Sequence, residues 1–382
     1  MRDILLLRMS GENVGGIEGQ VFRIAQYLRM KRLFKPILIT SGAESPFAEI
    51  FRKDGFSVYE VSMGKTDLTR AVPILESLVQ KNDVAVVQSH GFRESLLGAS
   101  IKKRYPQIPH VFRVQTHIDC AVIAPWRKLA YHILDKINSR YVDCYAVNGR
   151  YLADEVVRHS WIPSRKIRIV INGREAVGAP DAPQEQSEDP LPHRIAMVSN
   201  LYPRKGHDVL LEALALLKAK DMRVDVRLVG GEAVNILDSR GMSFMDSLRE
   251  RAARLGVLDQ IDFYGFTRDI YTALQGFPIV VLPSDSEGVP NSILEAMSLR
   301  KLVIASRVGG IPEIISDGRD GLLHPPKDAR SLAQNIERVF CSAARAWEPL
   351  RNAAYARWQQ EFSMEAMMNQ LIDIYENLGV IN

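Results

Sequence analysis

Short apolar runs recur along this chain, and most are followed by a stretch whose apolar positions repeat with helical spacing. In the first half the runs at 4–7, 36–40, 57–61, 84–88, 110–115, 144–147 and 167–171 read as strands, with helices such as 19–29 and 69–80 between them. The rhythm breaks at 179–192, where prolines and acids crowd a stretch with scarcely any apolar residue. This composition marks a solvated linker. It then restarts with strands at 195–199, 224–229, 261–264, 279–282 and 302–305, and helices at 208–219, 244–255, 292–298, 312–316 and 329–341. An amphipathic stretch at 364–378 closes the chain. Alternation of this kind predicts α/β architecture with mostly parallel, doubly wound sheets. We place a first domain at 1–178, a linker at 179–192, a second domain at 193–361 and a closing helical segment at 362–382. Ligands are expected beyond the carboxyl ends of the strands and in the cleft that two such domains create.

Composition narrows the class. A chain of 382 residues exceeds one ordinary core, and 46% hydrophobic with 25% charged residues is ordinary for a soluble globular protein. No run approaches the roughly 20 apolar residues of a spanning helix. The opening residues are too briefly apolar for a signal peptide and read as a first buried strand. Cys120, Cys144 and Cys341 are odd in number and lack CxxC spacing, so neither a disulfide framework nor a zinc site is expected, in keeping with the cytoplasm. The net charge of +4 conceals an asymmetry: residues 1–180 carry 27 Lys and Arg against 17 Asp and Glu. By charge alone a basic first half suits nucleic acid, an anionic membrane or a phosphorylated substrate; with the motifs below, nucleic acid is not among the expected partners.

The chemistry gathers at strand-to-helix turns. Glu287 and Glu295 lie eight residues apart around the turn after the run 279–282. Gly288 lets the backbone bend there, Pro290 is suited to the first helical position, and the new helix offers free amides to an anion. Two acids bracketing an anion site suit a ligand that combines phosphate with hydroxyls. The turn 199–206 sets Arg204 and Lys205 beside Gly206, where the pair could neutralise a diphosphate. Gly309 and Gly310 would let backbone approach a ligand closely, with Pro312 opening another helix. Gly15 and Gly16 open a helix after the first strand and could present amides to phosphate. Neither the dinucleotide GxGxxG fingerprint nor the GxxxxGK[ST] phosphate loop occurs there. His90 and His117 end strands at the expected ligand rim. No HExxH pattern or His/Cys cluster suggests a metal; the nearest approach is Asp285 with Glu287.

Taken together, these turns resemble the retaining family 4 glycosyltransferases of the GT-B fold, of bacterial surface-polysaccharide type. The likeness rests on GGIE at 15–18, THID at 116–119, INGRE at 171–175, SNLYPRKG at 199–206, VGG at 229–231, EGVPNSILE at 287–295 and GGIPE at 309–313. The tail at 362–378 looks like the family's last helix, which returns to the first domain. The resemblance implies transfer of a sugar from a UDP- or GDP-linked donor with retention of anomeric configuration and no obligatory metal or other cofactor. Lys205 would hold the donor diphosphate with help from Arg204, Glu295 the ribose hydroxyls, and Glu287 the donor sugar. Gly15, Gly16, Gly288 and Val289 would line the phosphates, and His117 would lie against the donor sugar. With no evident nucleophile, attack would come from the front face, the departing phosphate taking the acceptor proton. Asn200, counted with the donor-binding residues, stands where many relatives carry an Arg, and the loop at 233–246 looks longer than usual beside the nucleotide.

A glycan or lipid-linked glycan is the expected acceptor. Residues 124–136 mix aromatics, apolar residues and cations as interfacial helices do, and Lys102, Lys103 and Arg104 add positive charge. Peripheral contact with the inner face of the cytoplasmic membrane would fit. Alternatives on the same fold are a sugar-nucleotide 2-epimerase and a non-catalytic sugar-nucleotide-binding protein.

Overall fold

Buried strands in two all-parallel sheets organise the chain. The computed structural model describes residues 1–9, 15–41, 45–61, 70–115, 125–176, 191–232 and 241–381. The chain forms two compact units, one of Met1–Asn172 with Met367–Asn382 and another of Gly173–Ala366.

The first unit holds seven strands: β1 (Asp3–Leu7), β2 (Lys35–Thr40), β3 (Ser57–Glu60), β4 (Val84–Ser89), β5 (His110–Val114), β6 (Cys144–Val147) and β7 (Ile167–Ile169). They lie in the order β3-β2-β1-β4-β5-β6-β7, every pair parallel. Helices on both faces are why β1 and β4 are apolar almost without interruption and buried at every position. β7 stops at Ile169, short of the expected 171. Beyond it the amide of Asn172 turns to the Asn148 side chain (2.8 Å) and the chain leaves the ladder. The last residues join this unit's core. Tyr375 packs edge-on against Phe34 with ring centroids 5.5 Å apart, and its hydroxyl donates to Gln88. The buried Arg113 donates to the carbonyl of Val170 and to Asn172 Oδ1, both at 2.9 Å.

In the second unit six strands follow the same plan: β8 (Arg194–Val198), β9 (Asp225–Val229), β10 (Ile261–Gly265), β11 (Ile279–Leu282), β12 (Leu302–Ser306) and β13 (Leu322–His324). Their order is β10-β9-β8-β11-β12-β13, again parallel throughout. β13 was not foreseen, because three residues are too few to display a period; pairing with β12 and complete burial define it. Helix starts shift slightly. Pro290 caps the helix Asn291–Ser298 from outside, in an extended conformation, and is not its first residue. The helix Ile311–Ile314 begins one residue before Pro312. Both prolines keep their function, because neither position needs an intrahelical N–H partner. Among the described residues, no helix is long and apolar enough to cross a membrane.

Candidate functional site

Strand order singles out one place in each sheet. In the second unit the connections from β8 run one way, to β9 and β10, and those from its other neighbour β11 run the opposite way, to β12 and β13. The carboxyl ends of β8 and β11 therefore flank a topological switch point, where open α/β sheets bind ligands. The two turns picked from the sequence, 199–206 and 283–290, leave those two strands.

They interlock through backbone. The amide of Asp285 donates to the carbonyl of Arg204 (2.8 Å). Gly206 has φ +76°, and a Cβ there would sit 1.9 Å from the carbonyl oxygen of Pro283. Only glycine permits both the dihedral and the approach. This brings Lys205 to Glu287: its ammonium donates to Glu287 Oε1 at 2.6 Å. Ser284 Oγ donates to the same oxygen at 2.7 Å, and Ser306 Oγ in turn donates to the carbonyl of Ser284. The Glu287 side chain is only 8% exposed, whereas Lys205 keeps 29% of its surface. A cation with an open side and an acid held from beneath are thus built into one ion pair. Arg204 lies on the exposed side of the turn, its guanidinium 5.3 Å from the Tyr202 ring centroid. Asn200 and Gly288 are exposed, and Val289 is buried.

Glu295 occupies the fifth position of the helix Asn291–Ser298. Burial pushes its carboxyl pKa up, and the nearby Arg174 opposes that shift. Arg174 Nε lies 3.4 Å from Glu295 Oε1, and burial lowers the pKa of this guanidinium. The backbone of Arg174 is clamped on both sides: its amide donates to Phe362, and its carbonyl accepts from Met364, each at 2.9 Å. The INGRE motif drew attention in the sequence, but a role for Arg174 did not. Nothing in one dimension links position 174 to position 295.

The paired glycines at 309–310 lie against the loop that carries Glu287. A Cβ on Gly309 would lie 1.8 Å from the carbonyl oxygen of Glu287, and one on Gly310 would lie 2.6 Å from that of Gly288. Their close neighbour is protein backbone, so this turn braces the loop that carries Glu287.

In the first unit the reversal falls between β1 and β4. Arg8, just beyond β1, donates to Glu18 Oε1 (2.5 Å) and to the carbonyl of His90 (2.9 Å), with Glu94 at 3.6 Å. The amide of Gly15 donates to Glu18 Oε2 at 2.9 Å, so the glutamate in the first turn of the helix Gly16–Met30 caps the amide that precedes it. That amide is therefore taken by its own helix, while Gly16 is exposed. Glu18 ends the GGIE motif, but Arg8 and Glu94 carried no motif, and the cluster of the three is not readable from the sequence. His90 is buried at the end of β4, bonded to Gln88, with its pKa driven far down by burial. Burial thus disfavours its charged form. His117 and loop residues 233–240 lie outside the described residues.

Comparison with known proteins fits this geometry. Residues 14–176 match the family model described as Glycosyltransferase Family 4, and residues 192–342 the one described as Glycosyl transferases group 1. The chain belongs to family 4 of the glycosyltransferases. Its relatives include the amylovoran biosynthesis glycosyltransferase AmsK of Erwinia amylovora, 29% identical over 65% of this chain and 61% of that protein. A D-inositol 3-phosphate glycosyltransferase of Saccharomonospora viridis is 31% identical over 47% of this chain and 42% of its own length. The matched stretches thus span less than two thirds of these curated relatives. Among solved structures, HepE of Anabaena, crystallised in complex with UDP, superposes with a TM-score of 0.80. That match covers 98% of this chain and 100% of HepE at 20% identity, a likeness of fold. The fold of this family 4 member is therefore GT-B, built from two Rossmann-like units.

Proposed function

We propose that this family 4 chain moves a sugar from a UDP- or GDP-linked donor to a hydroxyl of a glycan or lipid-linked glycan, with retention, in building a cell-surface polysaccharide. The observation that carries the reading is the contact of Lys205 with Glu287 at the switch point of the second sheet, 2.6 Å long and partly open to solvent. In this reading the incoming diphosphate displaces Glu287 from Lys205, helped by Arg204. Glu287 is then free to accept hydrogen bonds from the donor sugar. Glu295, steadied by Arg174, receives the ribose hydroxyls. Gly288 and Val289 face the phosphates through backbone. The acceptor oxygen attacks the anomeric carbon from the face the diphosphate leaves, the bond to the phosphate oxygen breaks, and that oxygen takes the acceptor proton. Cations fixed beside the leaving group stabilise its growing charge, which is the work a divalent metal does elsewhere. Turnover is therefore expected to survive chelation.

The relatives' names support a polysaccharide or phosphorylated acceptor, and the UDP bound by HepE supports a uridine donor. A thermal-shift panel of UDP-, GDP- and ADP-sugars, followed by NMR of the product's anomeric centre, tests the proposal. Stabilisation by one donor class and a retained configuration are expected. Inversion, or epimerisation of the donor without acceptor, would overturn it.

Acid pH supplies a further test. A carboxyl whose folded pKa is raised takes up its proton above the usual glutamate value of about 4.3. Ionised Glu295 costs stability above its folded pKa, and protonation relieves that cost. The same protonation removes an acceptor for the ribose. Donor KM should thus rise as pH falls through the mildly acidic range while the fold persists, and Glu295→Gln should flatten that rise. An unchanged pH profile in this variant would remove Glu295 from donor binding.

A further inference from the structure

The helix Pro125–Asn138 is turned the opposite way from an ordinary surface helix. At 100° per residue, Trp126, Leu129, Ile133, Leu134 and Ile137 fall within about 140° of arc. All five lie on the outside, between 46% and 67% exposed. The opposite side carries the polar residues, and these are the buried ones: His132, Asp135 and Asn138. Each has a partner within the unit. His132 Nδ1 meets Ser160 Oγ at 3.2 Å, Asp135 Oδ1 accepts from the Tyr145 hydroxyl at 3.1 Å, and Asn138 Nδ2 donates to Ser95 Oγ at 3.2 Å. These bonds fix the helix about its long axis, so the apolar stripe cannot roll inward without leaving three polar groups unsatisfied.

Single exposed apolar residues are normal; a continuous stripe of five on one helix marks a surface that meets something. Charge indicates what. Arg127 and Lys136 flank the stripe on either side and are exposed, whereas the helix's one acid, Asp135, points inward. Lys136 reaches the carbonyl of Trp161 (2.5 Å), and Trp161, itself 51% exposed, extends the apolar face onto the next segment. Residues 125–168 hold nine Lys and Arg against four Asp and Glu. Lys102, expected to add to this surface, is instead engaged by Asp143 at 3.0 Å. Aromatic and aliphatic side chains on one face, bordered by cations at the height of lipid headgroups, are what an interfacial helix needs.

We propose that the outward face of the helix Pro125–Asn138 docks the protein on an anionic lipid bilayer, with Trp126, Leu129, Ile133 and Ile137 entering the headgroup boundary and Arg127 and Lys136 meeting lipid phosphates. Docking of this kind would hold the first unit against a membrane surface without a spanning segment.

Co-sedimentation with phosphatidylcholine vesicles, with and without phosphatidylglycerol, tests the assignment. Wild type should pellet with the anionic vesicles and be released by salt. Leu129→Gln/Ile133→Gln/Ile137→Gln changes only exposed positions and should lower partitioning by roughly tenfold or more with an unchanged melting curve. Arg127→Glu/Lys136→Glu should abolish the preference for anionic over neutral vesicles. A wild type that pellets with neither vesicle, or a triple variant that pellets as well as wild type, overturns the proposal. So does a wild-type dimer that the triple variant converts to monomer while neither binds lipid, since the stripe would then pair two copies of this chain. Donor-induced thermal stabilisation should be the same in wild type and the triple variant. Failure at the membrane is therefore distinguishable from failure of the transferase reading.

Discussion

Replacing Lys205 with alanine is expected to lower turnover by about 10²–10³-fold, with the protein still folded. The size follows from the cost of removing one preorganised charge from the place where negative charge develops, about 2.7–4 kcal/mol. Lys205 stands beyond β8 at the sheet's switch point, and its ammonium has an open side. Removing the ammonium also leaves Glu287 Oε1 with only the Ser284 hydroxyl, which should cost stability by about 1–3 kcal/mol. That is less than the whole stability of a typical domain. Single-turnover kinetics at saturating donor separate the two effects, because lost charge stabilisation slows the chemical step even when every site is filled. A Lys205→Ala variant that turns over within a few-fold of wild type would remove this residue from the chemistry, and with it the proposed exchange of Glu287 for diphosphate.

Gly309→Ala is expected to damage the site severely for a change of one methyl. Gly309 has φ +50°, and the added Cβ would lie 1.8 Å from the carbonyl oxygen of Glu287 and 2.9 Å from its carbon. Backbone atoms cannot swing aside as a side chain can, so the loop 283–290 must move. Its movement pulls Glu287 from Lys205 and Ser284. A loss of about 3 kcal/mol or more in stability is expected, together with loss of donor-induced stabilisation. Gly318→Ala is the control: its φ of +73° is also left-handed, but nothing lies within 4 Å of the new methyl. That change should cost about 1–2 kcal/mol and leave donor binding intact. Urea unfolding curves of both variants, with and without donor, give the comparison. Equal destabilisation of the two would show that dihedral strain, and not the contact with Glu287, makes Gly309 necessary.

Much of this was legible beforehand. Twelve of the thirteen strands announce themselves as short apolar runs between helical stretches, because a parallel strand covered on both faces must be apolar nearly throughout. The turns bearing Arg204, Lys205, Glu287 and Glu295 stood out because glycine and charge rarely coincide at a strand's carboxyl end without reason. The one missed strand, β13, is three residues long and has no pattern of its own. Its partner β12 makes it a strand.

Residue types were readable; their pairings were not. The chain alone determines two doubly wound sheets, a reversal of strand order in each, and the chemistry available beyond their carboxyl ends, since hydrophobic period and turn residues are local properties. Tertiary structure decided that Lys205 bonds Glu287, that Arg174 lies beside Glu295, that the 309–310 glycines lie against the backbone of the Glu287 loop, and that one helix wears its apolar side outward. Each of these depends on which distant segments come within a few ångströms, and no short-range pattern records that.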